Sequence, residues 1–358
     1  MATRASAAGT HRYAERWAGR LVPDFYRRTQ GGLSVSSIAV GTYLGESDAD
    51  ADAMYADALR LALTSGVNAI DTAINYRCQR SERVIGRVLQ EMIGGGAVRR
   101  DEVFLCTKGG YVPLDDEAPA TRADYERYLQ TEYFDPGILS PDDLVGGGHA
   151  LTPGFLIDQL HRSMRNLGVQ GLDVFYVHNP EQQLGAVTPE VLRDRLRAAF
   201  TALEGCVGRG EISIYGCATW NGLRLPSGSH GHLSLYELAA LAREIAGEKH
   251  HFRAVQLPIN LTMSEAVRVS TQRDPRGRLV HVLDAAADLG IDLVASAPLL
   301  QGELTHDLPP AIRELFAGRT DAQRALAFVR TLPGVLTAAV GMKTAAHVRE
   351  NLEPFQVA

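Results

Sequence analysis

From residue 38 onward the chain repeats one pattern. A short apolar run is followed by a stretch in which apolar positions recur every three or four residues. The first half of each unit reads as a buried strand, the second as a helix with one apolar face. About eight strands can be read this way, the number of a closed barrel. They fall at 38–42, 69–72, 103–107, 174–178, 212–217, 254–258, 291–295 and 336–340. Three helices are well marked. Ser47-Asp48 caps one that runs to about Leu63 and is stopped by Gly66. Ser81 heads another, with Val84, Ile85, Val88, Leu89 and Met92 on one face. Thr152-Pro153 opens a third, striped by Leu156, Leu160, Met164 and Leu167 and ended by Gly168. Alternating strands and helices predict a parallel sheet. A doubly wound sheet would run out near about six strands. The expected fold is therefore α/β, a single (β/α)8 TIM barrel.

Residues 1–30 lack this periodicity and read as an N-terminal extension to a barrel domain at 31–358. Gly31-Gly32 reads as a turn between short strands. Two segments exceed the ~2–6 residues usual for such connections. One, at 110–151, follows the third strand and carries Tyr125, Tyr128, Tyr133 and Phe134, then Gly146-Gly147-Gly148. It reads as a lid or pocket wall with glycine hinges, aromatic enough to suit a bulky or ring-containing substrate. The other, at 299–318, follows the seventh strand. Both lie after strand ends, on the face where barrels hold their sites.

Composition narrows the classes. A net charge of −6 and a pI near 6.0 give no basic face for nucleic acid. No apolar run approaches the ~20 residues of a membrane span. The first twenty or so positions have no signal-peptide core. Cys78, Cys106, Cys206 and Cys217 make no CxxC pair, which fits a reduced, cytoplasmic protein. No metal-ligand spacing stands out, and the expected partner is a small molecule.

The ends of three predicted strands carry the chemistry: Asp71 and Tyr76 after the second, Lys108 after the third, His178 closing the fourth. Each alone has a structural reading. Together they fall at one end of the barrel. A phenol with an ordinary pKa of about 10 exchanges protons poorly near neutrality. A neighbouring ammonium lowers that value, and a carboxylate keeps a buried lysine charged. Asp71, Lys108 and Tyr76 thus make a tuned proton donor. His178 can hold a carbonyl oxygen or help pass the proton.

At these residues the sequence resembles the aldo-keto reductase superfamily. Asp71-Thr72-Ala73-Ile74-Asn75-Tyr76 is similar to the family's Asp-x-Ala-x-x-Tyr, and Ser81, Glu82 and Gly86 continue it. Gln256 and Asn260 resemble its Gln-x-x-x-Asn stretch. Pro298, Leu299, Gly302 and Leu304 resemble the segment after strand seven. Gly341, Lys343, Thr344, His347, Glu350 and Asn351 resemble its C-terminal nucleotide-binding stretch. The resemblance spans about 31–356. It implies an NAD(P)H-dependent oxidoreductase that reduces an aldehyde or ketone, or runs the reverse, with NADP the expected cofactor and NAD possible. It implies Tyr76 as general acid, Lys108 and Asp71 as its tuning pair, and His178 as the orienting group. It also implies cofactor contacts from Thr42, Thr219, Gln256, Ala297, Leu299 and Gly302, with Gln256 on the nicotinamide carboxamide. Lys343, Thr344 and His347 would receive a 2′-phosphate.

The chain departs from the family pattern in places. Arg77 and Gln79 stand where glycines are common, and would narrow the pocket or bind an anionic substrate. Ala218 cannot donate to the carboxamide, which leaves Thr219 as a donor. Ser296 stands where an aromatic often stacks on the nicotinamide, and His347 where arginine often holds the 2′-phosphate. Two rivals stay open: a nucleotide-binding sensor of the same fold with little turnover, and an enzyme of another class on this barrel.

Overall fold

The structure is a computed structural model and describes residues 3–357. Eight strands close the barrel: β1 (Ile38–Gly41), β2 (Ala69–Asp71), β3 (Phe104–Gly109), β4 (Leu172–His178), β5 (Ile212–Ala218), β6 (Phe252–Pro258), β7 (Asp292–Ser296) and β8 (Val335–Gly341). Each pairs in parallel with the next in sequence, and β8 returns to β1. The expected (β/α)8 barrel is therefore what the chain forms.

Strand burial explains the continuous apolar runs. Every residue of β3 and β4 is buried, as parallel strands covered on both faces require. Inward side chains such as Ala39, Ala69, Phe104, Val174, Tyr176 and Leu336 fill the barrel interior. Outward ones pack on a ring of helices: α1 (Ala49–Leu63), α2 (Arg80–Gly94), α3 (Pro153–Leu167), α4 (Pro189–Gly208), α5 (Leu235–Ala246), α6 (Val282–Leu289), α7 (Asp321–Thr331) and α8 (Ala345–Leu352). The Asp48 carboxylate caps α1 by accepting from Ala51 N–H at 2.8 Å. Gly168 takes the left-handed conformation that ends α3. Ser81 does not cap α2. Its hydroxyl donates to Thr42 O at 2.7 Å and ties α2 to the rim of β1.

The described residues before the barrel, 3–30, are woven into it. A helix, Ala7–Glu15, lies against the N-terminal side, where Tyr13 donates to Leu63 O at 2.6 Å and Arg12 and Arg16 both grip Glu102. Tyr26–Arg28 pairs antiparallel with Ser34–Ser36, so the boundary expected at residue 30 falls inside a hairpin turn. Val35 of that hairpin is buried among the inward residues and plugs the floor.

Of the 110–151 segment, Tyr111 lines the cavity at the barrel mouth, but Tyr125, Tyr128, Tyr133 and Phe134 do not form the expected aromatic wall. The segment folds as a unit around Val112, Leu129, Tyr133, Leu139, Ala150 and Phe155. Tyr133 is buried there, Tyr128 donates to Pro113 O at 2.5 Å, and Tyr125 to Gly147 O at 2.8 Å. An excursion this long needs apolar area of its own to order its backbone, and its tyrosines supply that area. Gly146 and Gly147, both at positive φ, shape the tight turn that joins Val145 to His149.

Candidate active site

Parallel pairing sets the site. With Asp71 beside Cys106, Lys108 beside Tyr176, and both His178 and Gln256 beside Ala218, the strand ends converge on one rim. There they meet a cavity of about 670 Å³. Lys108 Nζ donates to Asp71 Oδ2 at 2.7 Å and Thr72 O at 2.9 Å, and lies 3.4 Å from the Tyr76 hydroxyl. Its ammonium also sits 5.0 Å from the centre of the Tyr76 ring. The four strand-end groups read from the sequence are thus one cluster.

Burial opposes the Lys108 charge, but Asp71 and the Tyr76 phenol outweigh it and hold the ammonium above its ordinary range. The expected net lowering of the phenol is not found. Burial pushes Tyr76 above its ordinary value and outweighs the opposing pull of Lys108. The phenol therefore stays protonated near neutrality. His178 is held well below the ordinary histidine range, first by burial and then by the charge of Lys108, so its imidazole is neutral. The His178 ring lies 6.0 Å from that of Tyr76, and its Nδ1 is enclosed without a partner.

The remaining candidates fall as follows. Thr42, Thr219, Gln256, Ala297, Leu299 and Gly302 line the cavity, as do Gly341, Lys343, His347, Glu350 and Asn351. Thr344 does not. Its Oγ1 accepts from His347 N–H at 3.2 Å and caps α8. Gln256 is engaged differently from the expectation: its Nε2 donates to Asp71 Oδ1 at 2.8 Å, so the carboxylate is held from two sides. Thr219 Oγ1 is a buried hydroxyl with no partner, as a donor or acceptor awaiting a ligand would be. Asn260 Nδ2 donates to Ala297 O at 2.9 Å and pins that residue at positive φ, which turns the chain after β7 across the mouth.

Arg77 does not enter the pocket. Residues 77–79 all take positive φ, which swings the guanidinium away to Glu46 O at 2.7 Å and Asp52 Oδ1 at 2.6 Å. Gln79 donates instead to Leu114 O at 3.0 Å. The expected anion contact from Arg77 is absent because its charge is already matched.

Sequence reasoning missed several wall residues: Tyr43, Asn75, Tyr111, Asn179, Trp220 and Gln301 all line the cavity. Their signal was adjacency. Asn179 follows His178 directly, and Tyr111 comes just past the end of β3. His149, the one histidine of the insertion, reaches back behind the wall. Gln183 Nε2 donates to its Nδ1 at 2.7 Å, so its Nε2 donates to His178 O at 2.7 Å. Burial holds His149 down at about 4, so it too stays neutral.

Comparison with known proteins agrees with the fold and shows the family. The model of the Aldo/keto reductase family matches residues 37–358. A putative voltage-gated potassium channel subunit beta from Schizosaccharomyces pombe is 22% identical over 339 residues, which cover 91% of this chain and 86% of that protein. Aldo-keto reductase family 1 member D1 of Rattus norvegicus is 26% identical over 193 residues, 53% of this chain and 48% of that protein. Among solved structures, an aldo/keto reductase from Klebsiella pneumoniae in complex with NADP and acetate superposes with a TM-score of 0.59 at 20% identity, covering 92% of this chain and 89% of that one. The holo form of an aldo-keto reductase from Bacillus halodurans gives a TM-score of 0.59 at 17% identity over the same shares. The chain belongs to the aldo/keto reductase family and is by that membership an oxidoreductase. No described helix is long and apolar enough to cross a membrane.

Proposed function

We propose that the protein is an NADPH-dependent reductase of aldehydes or ketones, with Tyr76 as the general acid. The observation that carries this reading is the Lys108 ammonium, 2.7 Å from Asp71 and 3.4 Å from the Tyr76 hydroxyl at the edge of one large cavity. The residues present fit a reduced nicotinamide nucleotide. Thr219 offers an unpartnered buried hydroxyl for a carboxamide, and Gly341, at the end of β8, lets the nucleotide approach the wall closely. Lys343 and His347, at the start of α8, offer positive and hydrogen-bonding groups for a phosphate. That cofactor, when bound, supplies the hydride. The chain's own part is proton handling. His178, neutral, holds the carbonyl oxygen. Tyr76, kept protonated by burial, delivers the proton to that oxygen. Lys108 stabilises the phenolate left behind, and Asp71 and Gln256 fix Lys108. The four cysteines are free, and we place the protein in the reducing cytoplasm.

A second reading is a nucleotide-binding regulatory subunit with little turnover. The relative named as a potassium channel subunit beta, aligned over 91% of this chain, favours it. One experiment separates the two. Purified protein is mixed with NADPH or NADH and a panel of aldehydes and ketones, and loss of the reduced nicotinamide's absorbance is followed. The reductase reading expects turnover of at least one carbonyl compound. It also expects Tyr76→Phe to bind nucleotide normally while reducing about 10²–10⁴-fold more slowly. Tight nucleotide binding by the wild type with no carbonyl turned over would establish the regulatory reading instead.

A further inference from the structure

The cavity contains a second phenol whose hydrogen is free. Tyr111 lies just past β3, where the insertion begins. Its ring packs edge-on at 5.0 Å from His178 and 4.8 Å from His149. Its backbone is tied at O by Gln159 Nε2 at 2.6 Å, and the same glutamine accepts from Gly110 N–H at 2.7 Å. The side chain is therefore held in place before any ligand arrives. Asn179, at positive φ directly after His178, donates from Nδ2 to the Tyr111 hydroxyl oxygen at 3.0 Å. That bond decides the direction of the phenol. Its oxygen is an acceptor for Asn179, and its own hydrogen meets no acceptor among the described residues.

Tyr111 and Tyr76 thus both pack edge-on against the His178 imidazole, at 5.0 and 6.0 Å ring to ring. Tyr43 packs on Tyr76 at 5.0 Å, and Trp220 also lines this part of the wall. Burial holds the Tyr111 phenol above its ordinary value, so it remains a donor near neutrality. Among the described residues no free cation faces this end: Lys108 is engaged by Asp71, and Arg77 is turned to Asp52. The wall therefore matches a neutral molecule with one oxygen at Tyr76 and His178 and another within reach of Tyr111. A carboxylate beside the carbonyl would find no cation here to replace its lost hydration.

We propose that Tyr111, aimed by Asn179, is a specificity-determining residue. It donates a hydrogen bond to a second oxygen on the substrate, next to the carbonyl being reduced. The preferred substrates are uncharged carbonyl compounds with a neighbouring hydroxyl or carbonyl oxygen. This rests on the reductase reading above, and no bond is made or broken at Tyr111.

The test uses the whole protein with NADPH and three matched substrates: an α-hydroxy ketone, the same ketone with methyl in place of hydroxyl, and the corresponding α-keto acid. The wild type should favour the hydroxy ketone over its methyl analogue in kcat/KM, and reduce the keto acid worst. Because a neighbouring oxygen also activates a carbonyl intrinsically, the deciding readout is how that preference changes in two variants. Tyr111→Phe should lower kcat/KM for the hydroxy ketone roughly tenfold more than for the methyl analogue, the loss of one neutral hydrogen bond. Asn179→Asp keeps a residue that tolerates positive φ but offers a carboxylate. It should capture the Tyr111 hydrogen and erase the same preference. Preference unchanged in both variants, or a wild type that favours the keto acid, overturns the assignment to Tyr111 while leaving the reductase reading intact. Failure of the wild type to reduce any of a wide carbonyl panel overturns both.

Discussion

Asp71 and Asp292 mark opposite ends of the same barrel. Asp71 closes β2 at the mouth, and Asp292 opens β7 at the floor. Both are buried, 6% and 8% exposed. Their surroundings differ in one respect. Asp71 has an ammonium at 2.7 Å and the Gln256 amide at 2.8 Å. Among the described residues Asp292 has only the Gln30 backbone N–H, at 3.0 and 3.3 Å to its two oxygens. Arg27 and Arg330 line the same basal cavity, but Arg27 turns to the carbonyls of Val335 and Arg330, and Arg330 to Ser37 and Asp24. Burial alone then pushes the Asp292 carboxyl up to about 6. The contrast teaches that the partner, rather than depth, makes a buried carboxylate useful. At the mouth the partner lysine is the one that also faces the phenol.

Removing that partner should have the largest effect. Lys108→Met leaves Asp71 buried beside a thioether. Breaking a buried pair from one side costs roughly 3–5 kcal/mol, so urea-unfolding midpoints at neutral pH should fall sharply, and carbonyl reduction should vanish with them. A variant as stable as the wild type would mean that water reaches Asp71 freely, and the comparison would collapse.

The floor predicts the opposite sign. Asp292 has a folded value of about 6 against an ordinary 3.8. A raised value means that the folded state favours the protonated acid. Its contribution is fully present below the ordinary value and is lost as pH rises through about 6. That gap amounts to roughly 3 kcal/mol at most. Asp292→Asn keeps an acceptor for Gln30 and cannot ionise. It should stabilise the protein by up to roughly that amount at about pH 7.5 and by almost nothing at about pH 3. Equal gains at both pH values would show that charge at this position is not the cause.

The same contrast explains what could be read from the chain before its folding was known. Asp71, Lys108 and His178 were legible because each ends an apolar run, and a parallel barrel brings strand ends to one rim whatever the loops do. Gln256 was legible in position but not in partner, since nothing in its spacing reveals that Asp71 accepts its amide. Thr344 was misplaced for a similar reason: a threonine three residues before His347 serves equally as a helix cap or a ligand. Tyr125, Tyr128 and Tyr133 belong to an excursion with its own core while Tyr111 of the same segment faces the cavity, and aromatic content does not say which way a side chain turns. Arg77 turned away because three consecutive positive φ angles, invisible in residue type, redirect it to Asp52.

The pH dependence of reduction sharpens the view of the mouth. Proton delivery requires a protonated Tyr76, and burial raises that phenol. His178 is held far below the usual imidazole range. The kcat/KM profile for reduction should therefore be flat from about pH 6 to about pH 9 and fall only at higher pH, as the phenol ionises. A limb centred near about pH 6.5, the ordinary histidine value, would mean that His178 titrates, and that the Lys108 charge does not reach it.

The smallest effect concerns a third ionisable group, Lys343, which lines the nucleotide end of the cavity without a carboxylate partner among the described residues. It is only half-buried. Water screens it, and one such cation contributes at most about 1 kcal/mol. Lys343→Met should thus weaken NADPH binding by about fivefold. NADH, which lacks the 2′-phosphate, should be affected less. The difference between the two nucleotides should shrink as salt is raised, because an exposed charge is screened within a Debye length of ~10 Å at moderate ionic strength. Titration by quenching of intrinsic fluorescence, at low and high salt, measures both terms. If the variant loses affinity for both nucleotides equally and salt makes no difference, Lys343 acts through the shape of the loop against Gly45, whose added Cβ would lie 3.2 Å from its side chain, rather than through its charge.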